Sequence, residues 1–120
     1  MRRDPNSLVS SFRYAGAGLA HLIRTQRNAR IEVALAAIAV ALGGWLGLTA
    51  VEWAVLALTI ALVLILEGMN TALELTVDLA SPDVHPYAKA AKDLSAGMVL
   101  VAALASLAVG AALFIPRLLR

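Results

Sequence analysis

Four polar side chains in one short stretch of the chain have types and spacing that could support chemistry. They are Glu67, Asn70, Glu74 and Asp78. A helix turns by about 100° per residue, so the four project within one stripe roughly 80° wide. Side chains that offer only oxygen at this spacing suit a hard cation such as Mg²⁺, and a carboxylate among them could act as a general base.

This stripe directly follows the apolar run from Trp53 to Leu66. Fourteen residues of helix span about 21 Å, whereas the hydrocarbon core of a bilayer is roughly 30 Å thick. The helix must therefore continue through Glu67 before it leaves the membrane. An ionisable group at membrane depth costs on the order of 2.5–3.5 kcal/mol on insertion scales and usually marks function. We therefore expect the stripe to be a functional site at the membrane boundary.

The composition is that of an integral membrane protein. The chain has 120 residues, of which 61% are hydrophobic and 15% are charged, against about 45–50% and 25% in soluble domains. It contains no cysteine, which excludes disulfides and thiolate metal sites. The arginine-rich first segment lacks a small-residue cleavage site and does not resemble a signal peptide. We expect a single membrane domain over residues 1–120.

The apolar pattern predicts an all-α protein with a surface helix and three transmembrane helices. The surface helix is predicted at about 7–28, and the spans at about 31–50, 53–79 and 92–115. In the first segment the apolar residues fall within an arc of about 100°, which is typical of an amphipathic helix in the membrane interface. The alternative is a helix that packs on other helices of the same protein.

Several residues mark where the spans meet or end. Gly43 and Gly47 form a small-xxx-small pattern, which indicates either close approach of another helix or loosening near a helix end. The residues from Thr49 to Glu52 are predicted to form the turn between the first two spans. Pro116 is predicted to end the third span.

The distribution of basic residues predicts the orientation. Six arginines precede the first span: Arg2, Arg3, Arg13, Arg24, Arg27 and Arg30. Lys89 and Lys92 follow the second span, and the turn between the first two spans has no basic residue. The positive-inside rule places the N-terminus in the cytoplasm and the C-terminus outside, in a cytoplasmic (inner) membrane. The polar stripe then faces the compartment that contains ATP and Mg²⁺.

From these residues alone two classes of function stay open. Phosphoryl transfer needs cations for the phosphate charge, a metal and a base, and all three could be assembled here. No P-loop or protein-kinase glycine loop occurs in the sequence. The competing hypothesis is a non-enzymatic oligomer that translocates cations or protons through the same carboxylates. Nothing in the pattern suggests a nucleic-acid partner.

Short motifs in a fixed order carry a resemblance to a known family. E-G-M-N-T-A-L-E at 67–74, V-D at 77–78 and A-K-D at 91–93 are similar to the signature of the small prokaryotic lipid kinases. Q-R-N-A-R-I at 26–31 also resembles the segment before that family's first span. The family contains diacylglycerol kinase and undecaprenol kinase, and the resemblance covers essentially the whole chain. The forms at 27–31 and 67–71 resemble the undecaprenol-kinase branch more closely.

The resemblance implies an activity and a set of roles. Members are homotrimers that transfer the γ-phosphate of ATP, with Mg²⁺, to the primary hydroxyl of a membrane lipid. By motif position, Glu67 is the general base, Glu74 is a metal ligand, and Asn70 helps to hold the site. The positions of the nucleotide-binding residues are Tyr14, Glu74, Asp83, His85, Lys92 and Asp93.

One position departs from the family pattern. The family's other metal-binding carboxylate falls on Gln26, whose carbonyl can bind Mg²⁺ but adds no negative charge. Glu32, about one turn into the first span, could assist it. For Asp78 a structural ion pair is as reasonable as a catalytic role, and Arg30 is either a supporting residue or a topology anchor.

Overall fold

The computed structural model describes residues 7–120, and this part of the chain consists of four helices with short connections. They are α1 (Leu8–Thr25), α2 (Arg27–Leu46), α3 (Ala50–Ala80) and α4 (Pro86–Leu118). Arg2 and Arg3, two of the arginines used to predict the orientation, lie outside the described residues. The all-helical prediction is confirmed.

Three of the helices are long and apolar enough to cross a membrane. They are α2, α3 and α4, with 20, 31 and 33 residues. At 1.5 Å per residue α3 is about 46 Å long, which exceeds a hydrocarbon core of roughly 30 Å. The helix is long enough for part of it to lie outside the hydrocarbon, and that this part is the end with the polar stripe stays a prediction.

The first helix is slightly shorter than predicted and packs partly against the spans. The side chain of Ser7 caps it by accepting a hydrogen bond of 3.2 Å from the Ser10 amide. It ends at Thr25 rather than near 28, because Gln26 is extended and separates it from α2. Leu22 is buried, whereas Leu8 and Phe12 are both 77% exposed.

The connection between α2 and α3 differs from the prediction. The first span was predicted to reach about residue 50, but α2 ends at Leu46 and Ala50 already begins α3. Gly47 has φ +75°, a left-handed conformation that glycine adopts without strain. Thr49 then caps α3 and forms a capping box with Glu52. The predicted turn at 49–52 was wrong because Glu52 belongs to the first helical turn.

Gly43 supports this connection by leaving room for it. The amides of Gly47 and Leu48 donate to the Gly43 carbonyl at 2.9 and 3.2 Å. A β-carbon at Gly43 would lie 2.8 Å from Leu48 Cδ1 and 3.0 Å from Trp53 Cη2. Both explanations left open for these glycines apply: Gly43 is closely approached by Trp53 of another helix, α3, and Gly47 lies at the end of α2.

The last helix runs without a break from Pro86 to Leu118. The prediction that Pro116 ends the third span was wrong, because the proline lies inside the final turn. Proline removes one amide donor, and the side chain of the next residue, Arg117, donates from Nη1 to the Leu113 carbonyl at 3.3 Å. Arg117 also forms two hydrogen bonds with the Glu52 carboxylate, one of them 2.6 Å long. These contacts hold the last turn of α4 against the first turn of α3.

The main apolar core lies at the same end of the molecule. Its buried members are Leu48, Leu56, Leu113 and Phe114. We call this end, with the turn 47–49 and the Glu52–Arg117 pair, the hairpin end. We call the opposite part, with Glu67, Glu74, Asp78 and the first turns of α4, the charged end.

Candidate active site

Glu67 is the most buried ionisable side chain of the candidate site. Only 2% of its surface is exposed, although it lies on a helix that mostly faces outward. Its Oε2 atom has no hydrogen-bond partner in the described part of the chain. Helix α1 lies beside α3 here, since a β-carbon at Gly68 would be in ordinary van der Waals contact with Leu22 Cδ2, at 3.7 Å. The buried Leu22 side chain of α1 therefore lies beside the part of α3 that carries Glu67.

Two further oxygen atoms near Glu67 are buried without a partner within residues 7–120. They are Glu32 Oε2 and Asn70 Oδ1. The Glu32 carboxyl group, from α2, interacts directly with that of Glu67, and Glu67 also interacts with Glu74. These are all acceptors, and buried acceptors normally have a donor. The arrangement therefore favours a ligand that supplies positive charge or donates a hydrogen bond.

The first turns of α4 bring basic side chains to the polar stripe of α3. Lys92 Nζ donates to Asp78 Oδ1 in an ion pair between the two helices. The same ammonium group interacts electrostatically with Glu74. Lys89 and Asp93 form a second ion pair within α4. The structure thus places Lys92 beside the carboxylates of α3, as the sequence analysis expected.

His85 and Asp83 lie in the connection between α3 and α4. The Nδ1 atom of His85 accepts a hydrogen bond of 3.0 Å from the Tyr87 amide and so caps α4. The backbone carbonyl of Asp83 accepts a bond of 3.1 Å from the Ser81 hydroxyl. His85 therefore has a structural role in addition to the predicted contact with a nucleotide.

Of the remaining predicted residues, Gln26 and Arg30 lie at the corner between α1 and α2, and Tyr14 lies in the first half of α1. Gln26 joins the two helices, and its side-chain amide donates to the Thr25 hydroxyl at 3.4 Å. Arg30 Nη1 donates to the carbonyls of Ile23 and Arg24 at 2.9 and 3.0 Å, which satisfies the end of α1. Arg30 is thus a helix cap that fixes the corner. Tyr14 is half-buried on α1.

The described residues contain no group of three or more His, Asp or Glu side chains placed to hold a metal ion. Mg²⁺ is usually bound by only one or two carboxylates and completes its coordination with water and substrate phosphates. Unpartnered carboxylate and amide oxygens lie beside Glu67, and oxygen is the ligand atom that Mg²⁺ requires. The residues therefore fit a magnesium ion that arrives with a nucleotide better than one bound by protein alone.

Comparison with known proteins assigns the family. The family model for prokaryotic diacylglycerol kinase matches residues 13–114. The chain belongs to this family. This chain is similar to a diacylglycerol kinase of Synechocystis sp., with 50% identity over 96% of this chain and 66% of that relative's length. An undecaprenol kinase of Bacillus subtilis is 40% identical over 98% of this chain and 95% of its own length.

The family is one of membrane lipid kinases, and this agrees with the three long apolar helices. The diacylglycerol kinase of Escherichia coli K12 is more distant, at 28% identity over 79% of the chain. The kinase class anticipated from the motifs at 67–74 and 91–93 is confirmed. The roles of individual residues stay predictions.

Two structural contacts were not found from the sequence. One is the pair between Glu52 and Arg117, which lie 65 positions apart. A signal existed, because antiparallel neighbouring spans bring the start of one beside the end of the next, and these two ends carry opposite charges. The other is the choice of Asp78 as the partner of Lys92, which depends on how α4 leans on α3.

Proposed function

We propose that the protein transfers the γ-phosphate of ATP to the primary hydroxyl of a membrane lipid alcohol, with Mg²⁺, at the cytoplasmic face of the inner membrane. The observation that carries this proposal is the Glu67 carboxylate, which is 2% exposed and has an unpartnered oxygen in a chain of this family. An unpaired carboxylate is costly to bury. It is reasonable where a substrate completes the arrangement.

Glu67 is the general base in this proposal. Its free oxygen accepts the proton of the lipid hydroxyl, and its burial keeps water from competing for the same position. Asn70 and Glu32 lie beside it and orient the acceptor and the carboxylate. The apolar surroundings at this depth admit the lipid from the side, whereas the nucleotide approaches from water.

Lys92 meets the phosphate chain of the nucleotide. Its ammonium is fixed to α3 by Asp78 and interacts electrostatically with Glu74, so its charge stays near the point where the γ-phosphate meets the hydroxyl. Asp93, Asp83, His85 and Tyr14 are proposed to contact the rest of the nucleotide. Glu74 and Gln26 would hold Mg²⁺, which supplies positive charge to the phosphate oxygens.

The acceptor is proposed as a lipid alcohol with a primary hydroxyl. The relatives include one named a diacylglycerol kinase and one named an undecaprenol kinase. Both alcohols present the same reacting group, so Glu67 could serve either. The enzyme is proposed to act as a homotrimer, which would cover part of the exposed apolar surface of the spans.

The direct test supplies the purified protein in mixed micelles with γ-labelled ATP and Mg²⁺. Diacylglycerol and undecaprenol are offered in parallel reactions at equal mole fraction. We expect label in one lipid phosphate well above the other, and no label after EDTA removes the metal. Turnover with Mg²⁺ restored shows that the loss is due to the metal.

Absence of label in every lipid alcohol would contradict the proposal. A useful companion is cation flux in liposomes that contain the protein and no ATP. Flux without lipid phosphorylation would favour the ion-translocating alternative. The variant Glu67→Gln provides the matched control in both assays because it differs by one amide group and removes the base.

A further inference from the structure

The side chain of Lys92 is held by a residue outside the positions that the family motif assigns to the nucleotide. Asp78 lies on α3, 14 positions before Lys92, and its Oδ1 accepts from the Lys92 ammonium. The two side chains are 63% and 37% exposed. Exposed ion pairs contribute little to stability, so the pair is not needed to hold the helices together.

The ion pair limits where the Lys92 ammonium can lie. An ammonium group has three hydrogen-bond donors, and one is used by Asp78. The flexible four-carbon stem of lysine otherwise allows the charge to move over several ångströms. With one donor fixed on α3, the other two are confined to the neighbourhood of Glu74, which interacts with the same ammonium.

We propose that Asp78 is a positioning residue, which fixes the Lys92 ammonium over the polar stripe so that its free donors meet the polyphosphate of the nucleotide. This rests on the proposed function for the role of Lys92. Asp78 itself does not touch the nucleotide and acts only through Lys92. The neighbouring pair, Lys89 with Asp93, is internal to α4 and does not tie the Lys89 ammonium to α3.

The test is a double-mutant cycle that measures binding of a non-hydrolysable ATP analogue with Mg²⁺ to the protein in micelles. We expect Asp78→Ala to weaken binding by about tenfold, in line with the cost of misplacing one group. In a Lys92→Met background the same change should alter affinity less than twofold, because Asp78 then has nothing to position. Asp78→Asn, which keeps an acceptor oxygen, should restore part of the loss.

Thr76→Val is the matched control on the same helix. Thr76 is exposed, and its hydroxyl bonds only to the Ala72 carbonyl of its own helix at 2.8 Å. This variant should bind the analogue as the unaltered protein does. An equal loss from Asp78→Ala with and without Lys92 would overturn the inference, because Asp78 would then act independently.

A second measurement does not depend on nucleotide. An amine reacts with an acylating reagent in its uncharged form, and a carboxylate partner disfavours that form. Asp78→Ala should therefore speed acylation of Lys92 several-fold relative to Lys89, as read by peptide mass spectrometry. An unchanged ratio overturns the pairing.

The two proposals fail separately. If the unaltered protein phosphorylates a lipid and Asp78→Ala binds nucleotide normally, the positioning role is wrong and the kinase function stands. If no lipid is phosphorylated, the kinase function is wrong. The acylation ratio then still decides whether Asp78 holds Lys92.

Discussion

Helix α3 carries two glutamates with opposite surroundings, one near each of the two ends of the molecule. At the hairpin end, Glu52 is fully engaged: it accepts from both terminal nitrogens of Arg117 and completes a capping box with Thr49. At the charged end, Glu67 is more deeply buried, yet its Oε2 has no partner in residues 7–120. One helix thus contains a carboxylate whose hydrogen bonds are satisfied by its own chain and another with an oxygen that lacks a partner.

The difference separates groups that hold the fold from groups that are available to a substrate. A buried carboxylate needs a compensating charge or donor. Arg117 provides both to Glu52, whereas the neighbours of Glu67 are the acidic Glu32 and Glu74. Such an arrangement lowers stability and persists where function requires it. The main apolar core lies beside the satisfied pair, and the open carboxylate lies outside that core.

The largest expected effect is on Glu67. We expect Glu67→Gln to lower turnover of the lipid substrate by about 10²–10⁴-fold, since the general base is removed. The same change should raise the midpoint of thermal unfolding by a few degrees, because it removes one charge from a set of neighbouring carboxylates. Turnover of labelled ATP and thermal unfolding in micelles measure the two effects.

Glu74→Gln is the comparison variant for this prediction. It removes the same charge from a half-buried position that is proposed to bind the metal, so its activity should recover in part at high Mg²⁺, whereas that of Glu67→Gln should not. Full activity in Glu67→Gln would remove this residue as the base. Lower stability in that variant would contradict the account of Glu67 as an unsatisfied charge.

The next effect concerns the hairpin end, where a substitution should lower the unfolding midpoint rather than raise it. Arg117→Ala leaves the Glu52 carboxylate without its partner, and we expect the unfolding midpoint to fall by several degrees. Activity per folded molecule should change less than twofold, since the pair is remote from Glu67. Thermal unfolding and lipid kinase turnover on the same preparation give both numbers.

Glu52→Gln and the double variant complete this comparison. The amide of Glu52→Gln keeps one acceptor for Arg117, so this variant should lose less stability than Arg117→Ala. The double variant should lose less stability than the two single variants added together. Additive losses would show that the two side chains act separately. A large drop in activity without loss of stability would show that the two ends are coupled.

The parts of this molecule that were predictable follow from regular spacing. The apolar runs gave three spans because a bilayer fixes their length, and the carboxylates at 67, 74 and 78 share a face because the helix period fixes it. The end of α2 was misplaced because Gly47 adopts φ +75°, and no periodicity signals that conformation. Pro116 was misread because Glu52, far away in the chain, supports the turn that contains it.

The partners at the charged end were only partly predictable for the same reason. The sequence indicated that Lys92 belongs with the carboxylates, but Asp78 and Glu74 are both within reach on one helical face. The structure assigns the hydrogen bond to Asp78. His85 shows the limit of motif comparison, because its bond to the Tyr87 amide is a local cap that a nucleotide role does not imply.

The smallest expected effect tests the hairpin end through the backbone alone. Gly47→Ala places a β-carbon on a left-handed residue and should destabilise the protein by about 1–2 kcal/mol. Gly44→Ala is the matched control: Gly44 is helical, and a β-carbon there meets nothing within 4 Å. This control should be neutral or stabilise by up to about 1 kcal/mol, because alanine favours helix. Denaturant unfolding of both variants measures the difference.

Measuring the activity of the Gly47→Ala and Gly44→Ala variants shows whether a loss of stability at the hairpin end affects catalysis. Because Gly47 lies in the turn between α2 and α3, far from Glu67, the less stable Gly47→Ala should keep turnover per folded molecule within about twofold of the unaltered protein, as expected for distant, independent sites. If Gly44→Ala proved as harmful as Gly47→Ala, the left-handed turn would not be the cause, and a neighbouring copy packed on this face of α2 would explain the result better. Equal stability of both variants would show that the turn tolerates the β-carbon by shifting, and the hairpin end would then be less rigid than its paired charges indicate.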